Sequence, residues 1–418
     1  MRILFLTQII PYPPNAGPRV KTWHVLNYLS ERGHDVTLAS FVRSDEVEYV
    51  PVLNQVCTAV HTIPISRSRI ADVGYWLKSH LSKRPFLIER DDLREMRQLV
   101  RHLLATESFD VVHADQLTMT QFALDAKEMG DDHLTQIPFI IFDAHNATWT
   151  IWERMRENAP WFLKPVYQIE EKRIKRYEGM LVEKFDHTMV VIDPDRDALL
   201  EGVSAAKRVS LAAKVSSIPI AIDAQKLQPI QRQPHSRNIM TLGSLNYPPN
   251  LDGIRWFMEE IFPLVQQKAP DVTLTVIGKN PPASFLQMAQ QSDGAIEVTG
   301  YVESLTPYME AAALMVVPVR AGSGMRVRLL EAFACAMPTV TTTIGLEGIA
   351  ATADKEILIA DDPQPFADAV LRLLQDAELC THLAVNGRIL AETEYDWRAV
   401  LRKMDAVFAL AGERADVV

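Results

Sequence analysis

Residues 3–41 read ILFLTQIIPYPPNAGPRVKTWHVLNYLSERGHDVTLASF. The apolar run 3–6 is a short strand, and the proline- and glycine-bearing stretch 8–19 can extend neither strand nor helix, so it is a loop. Val20, Trp23, Leu26 and Leu29 then recur near helical spacing until Gly33 stops them, and DVTLASF (35–41) follows as a second strand. Strand, glycine-bearing loop, helix, strand is a βαβ unit, and such units build parallel sheets.

The same alternation continues outward. Apolar strands are expected at DVVHA (110–114), PFIIFDAH (138–145) and TMVVID (188–193), with helix-like stretches around them. Residues 228–238 are polar and proline-containing and read as a linker. The pattern then restarts. NIMTLGSL (238–245) is a new first strand, NYPPN (246–250) its loop and LDGIRWFMEEIFPLVQQ (251–267) its helix. VTLTVIG, IEVTGYV, LMVVPV, PTVTTT and EILIA supply further strands, with the helix RVRLLEAFAC (326–335) among them. From about Pro363 the chain reads as helices, ending in DWRAVLRKMDAVFALAG (396–412). The expected class is α/β, with two parallel-sheet halves that divide near residue 225. Parallel sheets of this kind bind ligands at the carboxyl ends of their strands, and two facing sheets would place a cleft between them.

A length of 418 residues suits two or three domains. With 48% hydrophobic and 23% charged residues the composition is that of a globular enzyme, which excludes disordered, collagen-like and disulfide-framework proteins. Lys+Arg 43 against Asp+Glu 53 gives a net charge of -10, which argues against nucleic acid as a partner. Cys57, Cys335 and Cys380 lack any C-x-x-C spacing, as expected in a reducing compartment with no thiolate metal site. The apolar start is too short for a signal peptide, and AAALMVVPV (311–319) falls short of the ~18 residues of a membrane span. A soluble, cytoplasmic protein is therefore expected. Residues 146–185 are the least regular stretch of the first half, with Trp149, Trp152 and Trp161 before EEKRIKRYEGMLVEKF (170–185), and read as a long, charged, amphipathic helix leading into the strand at 188, either a solvated face or a peripheral membrane-surface or acceptor-binding one.

VVPVRAGSGMRVRLLEAFACAMPTVTTTIGLEGI (316–349) resembles the donor-nucleotide segment of retaining GT-B glycosyltransferases and is most similar to glycosyltransferase family 4. PYPPNAGPR, ERGHDVTL, DVVHADQL, DAHN, LGSLNYPPNLDG and VIGKNP extend the resemblance in order along nearly the whole chain. It implies a metal-independent, retaining enzyme without a cofactor, which moves a sugar from a nucleotide sugar to a carbohydrate, lipid-linked or small-molecule hydroxyl acceptor. Cell-surface polysaccharide or glycolipid assembly is the family-level expectation. The resemblance also implies two facing Rossmann-like domains, 1–225 binding the acceptor and 226–395 the donor, with a terminal helix over 396–418 packing back on the first.

Glycines 322 and 324, with Ser323 between them and Met325 after, let the backbone approach a ligand where a helix offers free N–H groups. Arg326 and Arg328 add positive charge beside that loop. Glu331 matches the family glutamate that holds the ribose hydroxyls, a pairing that a two-oxygen acceptor suits. Gly243, within the second half's first strand, is a further donor-side candidate, and Gly300, Tyr301 and Val302 form a turn expected near the base. Gly17 falls where the family passes close to the donor phosphates. His145, at a strand's carboxyl end, matches the active-site histidine, with a role in holding the sugar or polarising the reacting groups. Arg19, His113, Asp143 and Asn146 are the acceptor-side candidates.

The chain departs from the family pattern at two places. Ser323 stands where the first glutamate of the usual pair would be, and GSLNYPPN offers Ser244 and Asn250 where an Arg and a Lys are common. Arg326 and Arg328 are expected to supply the missing charge to the leaving diphosphate. DPDRD (193–197) resembles a metal-binding Asp-x-Asp motif, but its place at a helix start suits capping. Two other readings stand beside this one. A nucleotide-sugar 2-epimerase on the same fold would need an acid cluster near His145, and none is evident in the sequence. A non-catalytic nucleotide-binding protein would explain the missing Arg/Lys pair.

Overall fold

The structure is a computed structural model that describes residues 1–14, 17–130, 137–322 and 324–415. It divides into two compact units, Met1–Ala221 with Val400–Val418, and Ile222–Ala399.

The first unit is built on β1 (Arg2–Thr7), β2 (Asp35–Val42), β3 (Ala59–Pro64), β4 (Val111–Asp115), β5 (Phe139–Asp143), β6 (His187–Val190) and β7 (Val215–Ser217). These form one sheet in the order β3-β2-β1-β4-β5-β6-β7, and every pair is parallel. The helix Gly17–Glu31 buries Val20, Val25, Leu26 and Leu29. It stops where Gly33, at φ +75°, turns left-handed and His34 N–H returns to the Leu29 carbonyl. Central strands are buried on both faces, as helix-covered parallel strands must be. Leu4, Leu6, Phe41, Phe122, Phe142 and Phe185 lie in the core.

In the second unit β8 (Asn238–Leu242), β9 (Thr273–Ile277), β10 (Ile296–Gly300), β11 (Ala312–Val317), β12 (Thr339–Thr341) and β13 (Leu358–Ile359) pair in the order β10-β9-β8-β11-β12-β13, again all parallel. A separate core gathers Phe257, Phe262, Phe285 and Phe366. In each sheet the chain winds outward from its first strand and then returns to that strand's other side. The order reverses between β1 and β4 and between β8 and β11, and ligand crevices form at such switch points. The α/β, two-sheet GT-B class expected from the sequence is the one observed.

Several details differ from the reading of the sequence. Two strands were not anticipated, β3 (AVHTIP) and β7 (VSS). Both are sheet edges, half-buried or only three residues long, so neither carries a continuous apolar run. The long helix expected before the strand at 188 is Lys164–Lys184, and a second helix, Thr148–Asn158, precedes it, the two separated around Pro160, whose ring cannot continue a helix. The polar stretch 228–238 is not a free linker. Ile230 N–H donates to the Cys335 carbonyl, Gln233 N–H to Glu310 and Arg232 Nη1 to Ala313, all within the second unit.

At the far end, Asp405 of the helix Lys403–Ala415 accepts from Tyr28 Oη and Arg32 Nη2, each at 2.8 Å, within the first unit. Cys57, Cys335 and Cys380 are free and buried, and burial pushes the Cys57 thiol up to about 12. No helix among the described residues is long and apolar enough to cross a membrane.

Candidate functional site

Parallel register sets the first unit's polar cluster. Thr7, Asp115 and Asp143 are the last residues of β1, β4 and β5, and they pair side by side across the sheet. Asp115 has no exposed surface; its Oδ2 accepts from Thr7 Oγ1 at 2.8 Å and Thr22 Oγ1 at 2.9 Å. Its Oδ1 lies 2.7 Å from His145 Nε2. A carboxylate can only accept, so Nε2 carries a proton. His145 is thereby fixed in orientation at the strand end.

Asp143 is fully buried against the Lys21 ammonium, itself 3% exposed, and Oδ2 lies 3.4 Å from His113 Nε2. Burial alone would raise the Asp143 carboxyl, but Lys21 and His113 outweigh it and hold it well below the usual carboxylate range. His113 lies inside the sheet, stacked on its register partner Phe5 with ring centroids 4.3 Å apart. This corrects the acceptor-side expectation for two residues. His113 and Asp143 are fully buried and have no surface to offer an acceptor. Arg19 is ion-paired to Glu46, while Gly17 opens its helix. Asn146 lies with His145, Gln8, Arg90 and Thr148 in the wall of a pocket of about 190 Å³. Gln116 lines the same pocket at φ +75°, unusual for a side-chain-bearing residue, and its Nε2 is buried without an acceptor among the described residues.

One ligand atom from each of His113, Asp115 and Asp143 lies within 4.8 Å of the others, a spacing a metal ion could bridge. The Lys21 ammonium already neutralises Asp143, and Asp115 is saturated by two hydroxyls and His145. The cation of this cluster is Lys21. In DPDRD, Asp195 accepts from Ala147 N–H at 2.9 Å and Asp193 from Ser217 Oγ at 2.5 Å, so both hold loops at the start of the helix Asp193–Glu201.

In the second unit, the loops after β8 and β11 meet. Gly243 follows β8, and Asn250 stands in the helix Pro248–Trp256. Asn250 Oδ1 accepts from Arg328 Nη1 at 2.9 Å. A Cβ on Gly243 would lie 2.8 Å from that same Nη1, so glycine leaves the space the guanidinium fills. Gly322 and Gly324 take φ of +102° and +85°, and Arg326 Nη1 donates to the Gly324 carbonyl. Met325 is buried, and Ser323 lies outside the described residues.

Arg328 is half-buried, its Nε buried without an acceptor, and no carboxylate among the described residues reaches it at ion-pair distance. Burial and the neighbouring Arg326 charge lower its guanidinium to about 10. Glu331 lies one turn further along the helix Val327–Ala334; burial raises its carboxyl and Arg328 opposes the rise. The structure thus brings together Gly243, Gly322, Gly324, Arg326, Arg328 and Glu331. Gly300, Tyr301 and Val302 follow at the end of β10, where Gly300 has φ +76° and accepts from Gly278 N–H at 3.0 Å, and Tyr301 is largely exposed.

Sequence reasoning missed Lys21, Thr22 and Asp115. Their signal was a lysine and a threonine set among the apolar positions of the helix Gly17–Glu31, and an aspartate ending a strand. It also found no acid cluster beside His145. Asp115 and Asp143 form one, brought there by strand pairing across long stretches of chain.

Residues 236–376 match a family described as glycosyl transferases group 1. A protein described as an uncharacterized 44.6 kDa protein in the cps region of Klebsiella pneumoniae is 22% identical over 410 residues, covering 96% of this chain and 97% of its own. Among solved structures, sucrose-phosphate synthase from Thermosynechococcus elongatus superposes with a TM-score of 0.69 at 16% identity, covering 99% of this chain and 100% of that one. HepE of Anabaena in complex with UDP-glucose gives 0.65 at 13%, covering 98% and 99%. The resemblance to GT-B glycosyltransferases is thus borne out by the family match over the second sheet and by the fold of both units.

Proposed function

We propose that the chain is a retaining, metal-independent glycosyltransferase that transfers a sugar from a nucleotide-diphosphate sugar to a hydroxyl acceptor, in cell-surface polysaccharide assembly. The observation that carries this reading is Arg328, a half-buried guanidinium that stands beside Arg326 at the switch point of the second sheet and that no carboxylate among the described residues reaches at ion-pair distance. Two like charges so placed favour a bound anion, and a diphosphate is the anion this fold receives there. Glu331 would accept hydrogen bonds from the ribose hydroxyls. As the bond from the anomeric carbon to the diphosphate breaks, Arg326, Arg328 and the glycine-loop N–H groups would stabilise the departing charge. The acceptor hydroxyl would bond to the same face and pass its proton to a leaving phosphate oxygen. His145, oriented by Asp115, would hydrogen-bond the sugar, and the pocket beside it would seat the acceptor. The cps-region relative supports the polysaccharide role, and the UDP-glucose complex of HepE supports a nucleotide-sugar donor.

Thermal stability with UDP, GDP, ADP, dTDP and their sugars, in EDTA, tests this. A ligand at a hundred times its Kd stabilises by about 2.7 kcal/mol. One nucleotide is expected to stand out, and Gly243→Ala, whose methyl displaces the Arg328 guanidinium, is expected to abolish its shift. No shift with any nucleotide, or one that requires manganese, refutes the proposal.

The 2-epimerase reading gains from the acid cluster around His145. Both carboxylates are fully buried and already bonded, so they orient groups rather than exchange protons with a sugar. Conversion of a nucleotide sugar to an isomer without acceptor would decide for the epimerase.

A further inference from the structure

The helix Arg69–Ser82 is amphipathic in the wrong sense for a globular domain. Its single buried residue is Ser79, whereas Ile70, Val73, Leu77 and Leu81 recur along one stripe and are 86%, 59%, 54% and 86% exposed. Surface helices bury such a stripe. A second exposed apolar group lies at Trp161, Phe162 and Leu163 and continues to Val166 and Ile169 in the helix Lys164–Lys184. The two helices touch, since Arg173 Nη1 donates to Ser79 Oγ at 3.2 Å. Among the described residues, nearly half of the exposed large apolar side chains therefore fall in these two short segments of the first unit.

Their charge opposes that of the protein. Residues 67–84 hold five Lys/Arg and one Asp, and residues 161–176 hold five Lys/Arg and two Glu, in a chain of net charge -10. Arg69, Lys83, Lys164, Lys172 and Arg176 form no ion pair among the described residues. Aromatic and aliphatic side chains ringed by unpaired cations match an interface of hydrocarbon beneath anionic headgroups. Arg67 and Asp72, at the start of the exposed helix, also line a polar pocket of about 320 Å³ at the carboxyl ends of β1–β3. That places the pocket's mouth beside the apolar stripe.

We infer that this surface docks the first unit on an anionic lipid bilayer, with the helix Arg69–Ser82 lying in the plane of the interface and Trp161 and Phe162 inserted beside it. The inference is independent of the sugar chemistry proposed above.

The test is co-sedimentation of the full chain with vesicles of phosphatidylcholine alone and with about 30% phosphatidylglycerol, at low and at 0.5 M salt (roughly a twofold change in Debye length from physiological). Binding is expected to the anionic vesicles, weakening with salt. Leu77→Ser/Leu81→Ser and Trp161→Ser/Phe162→Ser are each expected to lower the partition constant about tenfold or more, with unchanged thermal unfolding because all four side chains are largely exposed. Absence of binding at low salt, or equal binding to both vesicles, overturns the inference. So does a dimer in solution that Leu77→Ser/Leu81→Ser dissociates, since the stripe would then be an interface between two copies.

Discussion

Replacing Lys21 by Met removes the cation from a carboxylate that has nowhere to go. Asp143 has no exposed surface and Lys21 is 3% exposed, so water cannot substitute for the lost ammonium. Breaking a buried pair by removing one partner costs about 3–5 kcal/mol, mostly the desolvation of the charge left behind. His113 Nε2, at 3.4 Å, is the nearest remaining group and is itself sealed under Phe5.

Because the chain has two units, a single unfolding midpoint would mix them. Hydrogen exchange in peptides covering β4 and β5 reads the first unit alone, and the expected loss of protection is roughly 10²- to 5 × 10³-fold. The pH dependence must also reverse sign. In the parent, the folded Asp143 carboxyl lies below its unfolded value, so its contribution is present above the unfolded carboxylate range and is lost as pH falls. In Lys21→Met burial acts with less opposition and the folded value rises above the unfolded one, so protection declines from about pH 4 to pH 7. Lys21→Met/Asp143→Asn, which leaves no charge, is expected to recover most of the loss. Protection within about threefold of the parent at pH 7, or an unchanged pH slope, refutes the assignment of Lys21 as the cation of this cluster.

Two further outcomes follow from contacts elsewhere. A Cβ on Gly253 would lie 2.0 Å from the Pro318 carbonyl oxygen, which backbone cannot yield, so Gly253→Ala is expected to cost about 3 kcal/mol in the second unit. Calorimetry showing that unit's transition within about 1 °C of the parent contradicts this. Burial and Lys214 lower the His187 imidazole to about 4, below its unfolded value, so His187 supports the fold above about pH 6.5 and its contribution is lost as pH falls toward 4. The stake is about 3 kcal/mol. His187→Gln, which can keep the bond to Ser216, should flatten the acid limb of a denaturation series, and an identical limb rules His187 out as its source.

The two-sheet fold was legible because its signals are local. Apolar runs, glycine-bearing loops and a helical recurrence such as Val20, Trp23, Leu26, Leu29 lie within windows of about fifteen residues. So were Gly322, Gly324, Arg326, Arg328 and Glu331, which occupy one continuous loop and helix. Edge strands β3 and β7 were not, since half-buried or three-residue strands lack the pattern that full burial imposes. The exposed stripe of Arg69–Ser82 has the periodicity of a core helix, and periodicity alone does not say which side of a helix meets protein.

Sequence by itself determined which residues become strands and helices and how they alternate. Tertiary structure decided which polar residues meet. Thr7, Asp115 and Asp143 are separated by long stretches of chain and become neighbours only through parallel register, and Lys21 of the helix Gly17–Glu31 meets Asp143 across 122 residues of sequence. Arg328 finds Asn250 across 78 residues. Backbone periodicity is a property of neighbours in sequence, whereas the desolvation that forces a buried charge to find a partner acts between elements after they have packed.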